Sequence, residues 1–387
     1  MKRALILIFI VMLALAAFLA WRPLPAAVST NASLETLLVD QGQTSDLFAR
    51  ALTPNHIEFP RDLGPHDEYQ TEWWYYTGNL ETDPDRLFGF QFTIFRRSLV
   101  PPQEMPDSDN TSEWRSSQVY LAHFTISDIA NEKFYVAERI SREAGGLAGA
   151  RAIPYQVWLE NWAAEQIAPG QIRLQAQTDD VTLDLSLRET VPPVLHGEGG
   201  LSQKGAEPGN ASYYYSIVHQ ETEGTVTIEG ERFEVTGLSW KDHEYSTSAL
   251  SPGSTGWDWF SLQLDDGAAL MLFQIRRQDG SLEPTSSGSF IHADGSVQRL
   301  SKDDWQLEML DKWTSPTSGA EYPVAWRLLI PKADLSLEGQ ALMPNQELNV
   351  STTYWEGAVA FAGNHAGRSV KAQGYIEMTG YAVPLSP

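Results

Sequence analysis

The 387-residue sequence contains no cysteine. That excludes a disulfide framework, thiolate chemistry and lipidation at a cysteine. Positive charge is also scarce, with 27 Lys and Arg against 50 Asp and Glu and a formal charge of -23. No local Lys/Arg cluster offsets it, so nucleic acid is excluded as a partner, and the acidic surface reads first as a means of solubility. Catalytic signatures are missing too. There is no Gly-x-Ser-x-Gly elbow, no P-loop and no Gly-rich turn opening a helix. No His-x-His, HExxH or other paired spacing appears, so neither a metal nor a cofactor is expected.

Long helical patterns are nearly absent, and the one helix candidate of any length is the Trp-rich stretch Tyr155–Ile167. Most of the chain after Glu72 alternates in strand fashion. Leu87–Phe95, Val119–Ile126, Val181–Leu187, Ser212–His219, Gly224–Ile228 and Leu270–Arg276 read as strands, with Asp-Gly turns at Asp266, Asp279 and Asp294. The N-terminus is different. Lys2-Arg3 precedes an apolar run from Ala4 to Trp21 that Arg22-Pro23 breaks, the pattern of an export signal and almost long enough to span a bilayer. Residues 1–22 are therefore expected to be a signal peptide or membrane anchor, and 23–44 a tether with a short helix at Leu34–Val39. The body is expected in a bacterial periplasm or on an extracellular face, either free or tethered to the inner membrane.

Acidic, aromatic and imidazole groups concentrate at two places. Pro65–Leu80 reads PHDEYQTEWWYYTGNL, and a variant returns as Asp242-His243-Glu244-Tyr245 followed by Gly256-Trp257-Asp258-Trp259-Phe260. Glu72-Trp73-Trp74-Tyr75-Tyr76-Thr77 leads through a turn to Phe95-Arg96-Arg97. Gly256–Ser261 leads likewise to Ile275-Arg276-Arg277. Two matching hairpins suggest two barrels of similar plan, 45–222 and 223–387. The arginine pairs are expected to bind local carboxylates.

On these motifs the chain resembles the AttH-like family, related to carotenoid 1,2-hydratase and sometimes labelled predicted secreted hydrolases. The stretches that carry the resemblance are HDEYQTEWWYYTGNL (His66–Leu80), SWKDHEYS (Ser239–Ser246), GWDWF (Gly256–Phe260), YWEGAV (Tyr354–Val359) and GYIEMTGY (Gly374–Tyr381). The resemblance covers about residues 45–387 and implies an all-β fold of two tandem lipocalin-like antiparallel barrels. Such barrels hold hydrophobic small molecules or lipids. The hydratase branch implies addition of water across an isoprenoid double bond. That chemistry needs a carboxylic acid to protonate the alkene, aromatic faces beside the cation and a group that orients water. The chain departs from the hydratases in two places. Tyr245 stands where they carry Trp, and Met271–Ile275 lacks the carboxylate they carry on the strand after the Trp-rich motif.

The expected catalytic groups are Asp242, His243 and Glu72, the last as a general acid among aromatics. Asp242 and His243 are adjacent, so a regular strand points them to opposite faces and only a bulge or turn brings both into one pocket. The plain alternatives are a turn-capping Asp242, a core His243 and a structural Glu72. Expected ligand contacts are His66, Trp74, Tyr76, Tyr245, Asp258, Trp259 and Trp355. Asp258 either enters the pocket while its flanking indoles pack outside, or the reverse. His123 is expected to be structural, and Tyr375 and Tyr381 to be core, with Glu356 and Glu377 as residues to test. Three functions remain in view: a binding or carrier protein for an isoprenoid-like ligand or lipid, a cofactor-independent lyase or isomerase that protonates one, and a structural interaction module. Convergence of Glu72, His243 and Asp258 on one apolar cavity would favour the enzyme.

Overall fold

The computed structural model describes residues 47–83, 86–104, 116–247 and 250–385. The expected leader, the tether and the helix at Leu34–Val39 lie outside these residues. Among them the fold is all β, with only single 3-10 turns besides strands. The first sheet has 13 strands and curls around its own core. From one edge its central order is Lys133–Arg142, Gln118–Asp128, Leu87–Ser98, Thr71–Glu81, Glu231–Ser246, Ala211–Ile228 and Val181–Glu189. The second has 10 strands, with Ser254–Leu264 between Ala269–Arg277 and Arg368–Met378. All pairings are antiparallel, as expected of barrels built from hairpins.

Two expectations need correction. Tyr155–Ile167 is not a helix but two strands, Tyr155–Leu159 and Trp162–Ala168, joined by a tight turn. Tyr155, Val157, Leu159, Trp162 and Ala164 are buried and their neighbours are not, which is a period of two across a hairpin. The break between the halves is also not near residue 222. That position lies inside Ala211–Ile228, which pairs with Glu231–Ser246 to complete the first sheet. The second sheet starts at Ser254. The Asp242–Tyr245 motif therefore closes the first sheet and does not introduce the second.

Strand Thr71–Glu81 is buried along nearly its whole length, and the alternation of its side chains divides it between two cores. Trp74 and Tyr76 join Phe90, Phe92 and Trp162 inside the first sheet. Tyr75, with Trp73 against it, faces out into a third core shared by both sheets, together with Tyr214, Trp240, Trp259 and Phe273. The second sheet has its own interior around Phe260, Trp326 and Trp355. Polar side chains fasten the sheets to each other. Gln263 Nε2 donates to the carbonyls of Val218 (2.7 Å) and Ser239 (3.0 Å), and Asn79 Nδ2 donates to that of Gly374 (3.1 Å).

Gly374 sits where two backbones nearly touch: a Cβ there would lie 1.7 Å from the Ser261 carbonyl oxygen. Gly374→Ala is expected to lower unfolding free energy by about 1–3 kcal/mol, read from the midpoint of a urea titration.

Candidate functional site

The opening motif builds a buried ionic knot on the inner face of the first sheet. Thr71–Glu81 and Glu231–Ser246 pair so that Glu72 faces Tyr245 and Trp74 faces His243, while Arg96 stands opposite Glu72 on the other neighbouring strand. Glu72 Oε2 accepts from Arg96 Nε (2.8 Å) and from the His66 backbone N–H (3.0 Å). Glu72 Oε1 lies 2.8 Å from His66 Nδ1 and 2.8 Å from His243 Nε2. Arg96 also donates to the carbonyls of His66 and Tyr69 and to Gln118 Oε1. Burial pushes the Glu72 carboxyl up, but the Arg96 and His66 charges outweigh it and hold Glu72 well below the usual carboxylate range.

The two histidines carry different charge. Burial works against protonated His66, but Glu72 and Asp62 overcome it and raise His66 to about 9. Burial lowers His243 to about 4 despite its bond to Glu72. Neutral His243 then donates to Glu72 from Nε2 and accepts from the Tyr215 hydroxyl at Nδ1 (2.9 Å). Tyr245 stacks on His66 at 3.5 Å and Trp74 on His243 at 5.0 Å. Ligand atoms of His66, Glu72 and His243 all lie within 4.8 Å of one another. Arg96 and protonated His66 already neutralise that carboxylate, so a divalent cation would have to displace both.

The other parity of the same strands builds a cleft between the sheets. It is lined by Trp73, Tyr75, Asp242, Trp257, Trp259 and Glu377, with Tyr214, Phe273 and Lys204 among its further walls, and encloses about 130 Å³. Asp242 stands opposite Tyr75 and Ser216 in register. Its carboxyl accepts from Tyr214 Oη (2.6 Å), Trp240 Nε1 (2.6 Å) and Ser216 Oγ. Burial raises Asp242 to about 7 against the pull of those three donors. Tyr214 in turn accepts from Trp259 Nε1 (3.0 Å), so an indole of the second sheet orients the acid of the first. Glu377 stands opposite Trp259 and accepts from Trp257 Nε1 (2.6 Å); burial raises it to about 7 as well. Lys204 stands over the Phe273 ring at 4.1 Å and pairs with Glu244 at 3.0 Å. The arrangement offers weakly acidic carboxyls beside aromatic faces, the combination that general acid catalysis on an apolar molecule requires.

Of the expected site residues, the cleft takes Asp242 and Trp259. Glu72, His243, His66 and Tyr245 meet one another in the knot, and Trp74 and Tyr76 are first-sheet core. Asp242 and His243 do point to opposite faces. Asp258 turns away from the cleft to Arg276 Nε (3.1 Å) and Gln274 Nε2 (2.7 Å), leaving Trp257 and Trp259 as its walls. Glu72, His243 and Asp258 therefore do not converge on one apolar cavity. Trp355 is second-sheet core, its indole donating to the Pro344 carbonyl. His123 is structural, held between Tyr354 Oη (2.7 Å) and Glu138 Oε2 (2.9 Å). The arginines bind local groups, Arg96 on Glu72, Arg276 on Asp258 and Arg277 on Glu283. Trp73, Tyr75, Tyr214 and Phe273 were not anticipated in the site, whereas Trp257 beside Trp259 was one of the two arrangements expected around Asp258. Their signal was present as the opposite parity of motifs already singled out.

Comparison with known proteins gives a consistent picture. The AttH-like family model matches residues 50–381. The crystal structure of a putative AttH from Nitrosomonas europaea is similar with a TM-score of 0.75 at 36% identity, over 86% of this chain and 100% of that one. Kievitone hydratase from Nectria haematococca shares the fold, with a TM-score of 0.64 at 16% identity over 87% of this chain and 97% of that one. A dehydratase of Emericella nidulans, asqC, is 24% identical over 219 residues, which is 54% of this chain. The match spans 60% of that curated relative's own length.

Truncating Arg96 leaves the Glu72 charge buried without its main partner. Arg96→Ala is expected to cost about 3–5 kcal/mol in denaturant unfolding. The knot also sets a pH dependence. His66 rises from 6.5 to about 9 on folding, so its contribution is complete below pH 6.5 and lost as pH climbs through 9. His66→Gln is expected to flatten that part of a stability–pH profile measured by thermal unfolding.

Proposed function

The chain belongs to the AttH-like family, and from that premise we propose that it is a cofactor-independent lyase of the hydratase or dehydratase type. Its substrate is an apolar, isoprenoid-like molecule bound in the cleft between the two sheets. The observation that carries this is the placement of Asp242 among Trp73, Tyr75, Trp257 and Trp259 in a single cleft. A carrier needs the aromatic walls but gains nothing from burying a carboxyl whose charged form is disfavoured there. Further support comes from the hydratase and dehydratase among its relatives.

In this mechanism protonated Asp242 gives its proton to the less substituted alkene carbon. The tertiary cation is stabilised by the faces of the surrounding indoles and the Tyr75 ring. Water then adds to the cation; dehydration is the same path in reverse. The Tyr214, Ser216 and Trp240 donors hold the Asp242 carboxylate once it has lost its proton, so they stabilise the acid's product state. Action in the cell envelope is part of the proposal. It rests on the apolar leader at Ala4–Trp21.

Reversible protonation is detectable without net turnover. Incubated with β-myrcene, squalene or lycopene in D2O, the protein is expected to exchange deuterium into the gem-dimethyl terminus or to form the hydrated product, both read by mass spectrometry. Asp242→Asn is expected to slow this by about 10²-fold or more. Retention of all three molecules with no exchange would overturn the lyase and leave a carrier. Folding raises Asp242 from 3.8 to about 7, so its stabilising contribution is complete below pH 3.8 and lost as pH rises through 7. Asp242→Asn is accordingly expected to melt at a higher temperature than the parent at pH 8, and not at pH 4.

A further inference from the structure

A second acidic centre faces the cleft from the other sheet. Glu356 and Glu377 are direct cross-strand partners on Thr353–His365 and Arg368–Met378, so their side chains leave the sheet on one face with Cβ atoms about 4.5–5.5 Å apart. It is also the face of Trp259, which stands opposite Glu377 on the next strand and lines the cleft. Both carboxyls are buried. Tyr75 of the first sheet donates to Glu356 Oε1 (2.6 Å), and Trp257 donates to Glu377 Oε1 (2.6 Å).

Glu356 Oε2 is buried and has no hydrogen-bond partner among the described residues. The group beside it is the other carboxyl, so the donor this geometry lacks is a proton held between the two. Two ionised carboxylates at this spacing, shielded from water, would repel each other strongly. None of the ion pairs among the described residues involves either carboxyl. The charged and titratable groups around the pair are Tyr75 and Asp242 across the cleft, Glu244 with Lys204 on it, and Tyr354 and Tyr375 on the pair's own strands. Burial and the Glu377 charge push Glu356 well above the usual carboxylate range.

We propose that Glu377 is the general base of the cleft and that Glu356 is its positioning residue, the two holding a single proton between them. The proposal rests on the lyase assigned above and supplies the half of the reaction that Asp242 does not perform. In hydration, the proton of Asp242 forms the new C–H bond and the alkene π pair is consumed. A water oxygen forms the C–O bond to the cation, and the O–H proton it sheds passes to the Glu377 carboxylate. The pair is then fully protonated and Asp242 ionised; one proton returning through cleft water restores both. In deuterium exchange the same base removes a methyl proton from the cation to give the terminal-methylene isomer. A deuteron added to that methylene restores the cation with a labelled methyl group, and loss of the neighbouring methylene proton or deuteron returns the original alkene.

The test combines kinetics with infrared spectroscopy. In β-myrcene exchange in D2O, Glu377→Gln is expected to lose about 10²-fold or more, and Glu377→Asp to recover part of that rate. Glu356→Gln is expected to keep measurable exchange but to move the acidic limb of the pH–rate profile to higher pH, since the Glu377 carboxylate loses the carboxyl proton that stabilises it. A merely structural role would leave that limb in place. Thermal midpoints of each variant separate misfolding from loss of the base. Infrared difference spectra use Asp242→Asn as background, so that Asp242 contributes no signal. A protonated-carboxyl C=O band is expected at pH 7 and is expected to vanish when Glu356→Gln and Glu377→Gln are added together. A folded Glu377→Gln that exchanges at the parental rate, or no carboxyl band in Asp242→Asn, overturns the proposal while the lyase stands. A parent without any exchange overturns the lyase and the base role together.

Discussion

The structure depends on one constraint: the strand Thr71–Glu81 and the second half of its neighbour, Ser239–Ser246, are buried on both faces. Neither can be amphipathic in the usual sense, because each face meets a different core. Side chains alternate, so one strand pair serves two chemistries without any bulge at the motif. The inner parity carries charge that is cancelled on the spot. The outer parity carries Asp242, whose charge is suppressed by the apolar walls around it.

The same alternation explains how the ionic knot contributes to the cleft without lining it. Glu72, Arg96, His66 and His243 lock the inner face and thereby fix the register that places Asp242 opposite Tyr75. A slip of one residue would exchange the two parities and put Glu72 against the indoles. The second sheet makes a corresponding arrangement with Arg276 on Asp258, which leaves Trp257 and Trp259 free to face the cleft. The repeat in the sequence is therefore visible in three dimensions as two similar walls facing one gap.

Much of this was legible in the sequence. The all-β class, the strand positions and the family followed from alternation and from the motifs of Pro65–Leu80 and Ser239–Phe260. Less was legible about the site, and the reason is physical. Where both faces of a strand are apolar, periodicity does not say which parity faces a ligand. Trp74 and Tyr76 were therefore as good candidates as Trp73 and Tyr75. Trp-rich Tyr155–Ile167 failed for a related reason: a tight turn between two short strands leaves large residues at spacings that a helix also allows. The break between the sheets was misplaced because Asp242–Tyr245 resembles an introduction to the second hairpin, whereas its partners lie in the first. The absence of a carboxylate in Met271–Ile275 was read correctly, yet the second sheet supplies one from its other neighbour, as Glu377 opposite Trp259.

The way the cleft is assembled has a consequence for the family's capacity to diversify. Its walls hang on strands whose opposite faces are already committed to the two barrel interiors. A change of Trp73, Tyr75, Trp257 or Glu377 therefore alters the gap between the sheets while the packing that defines each barrel is left in place. Chemistry and foldability are encoded on alternate letters of the same segments, so one can drift while the other is held under selection.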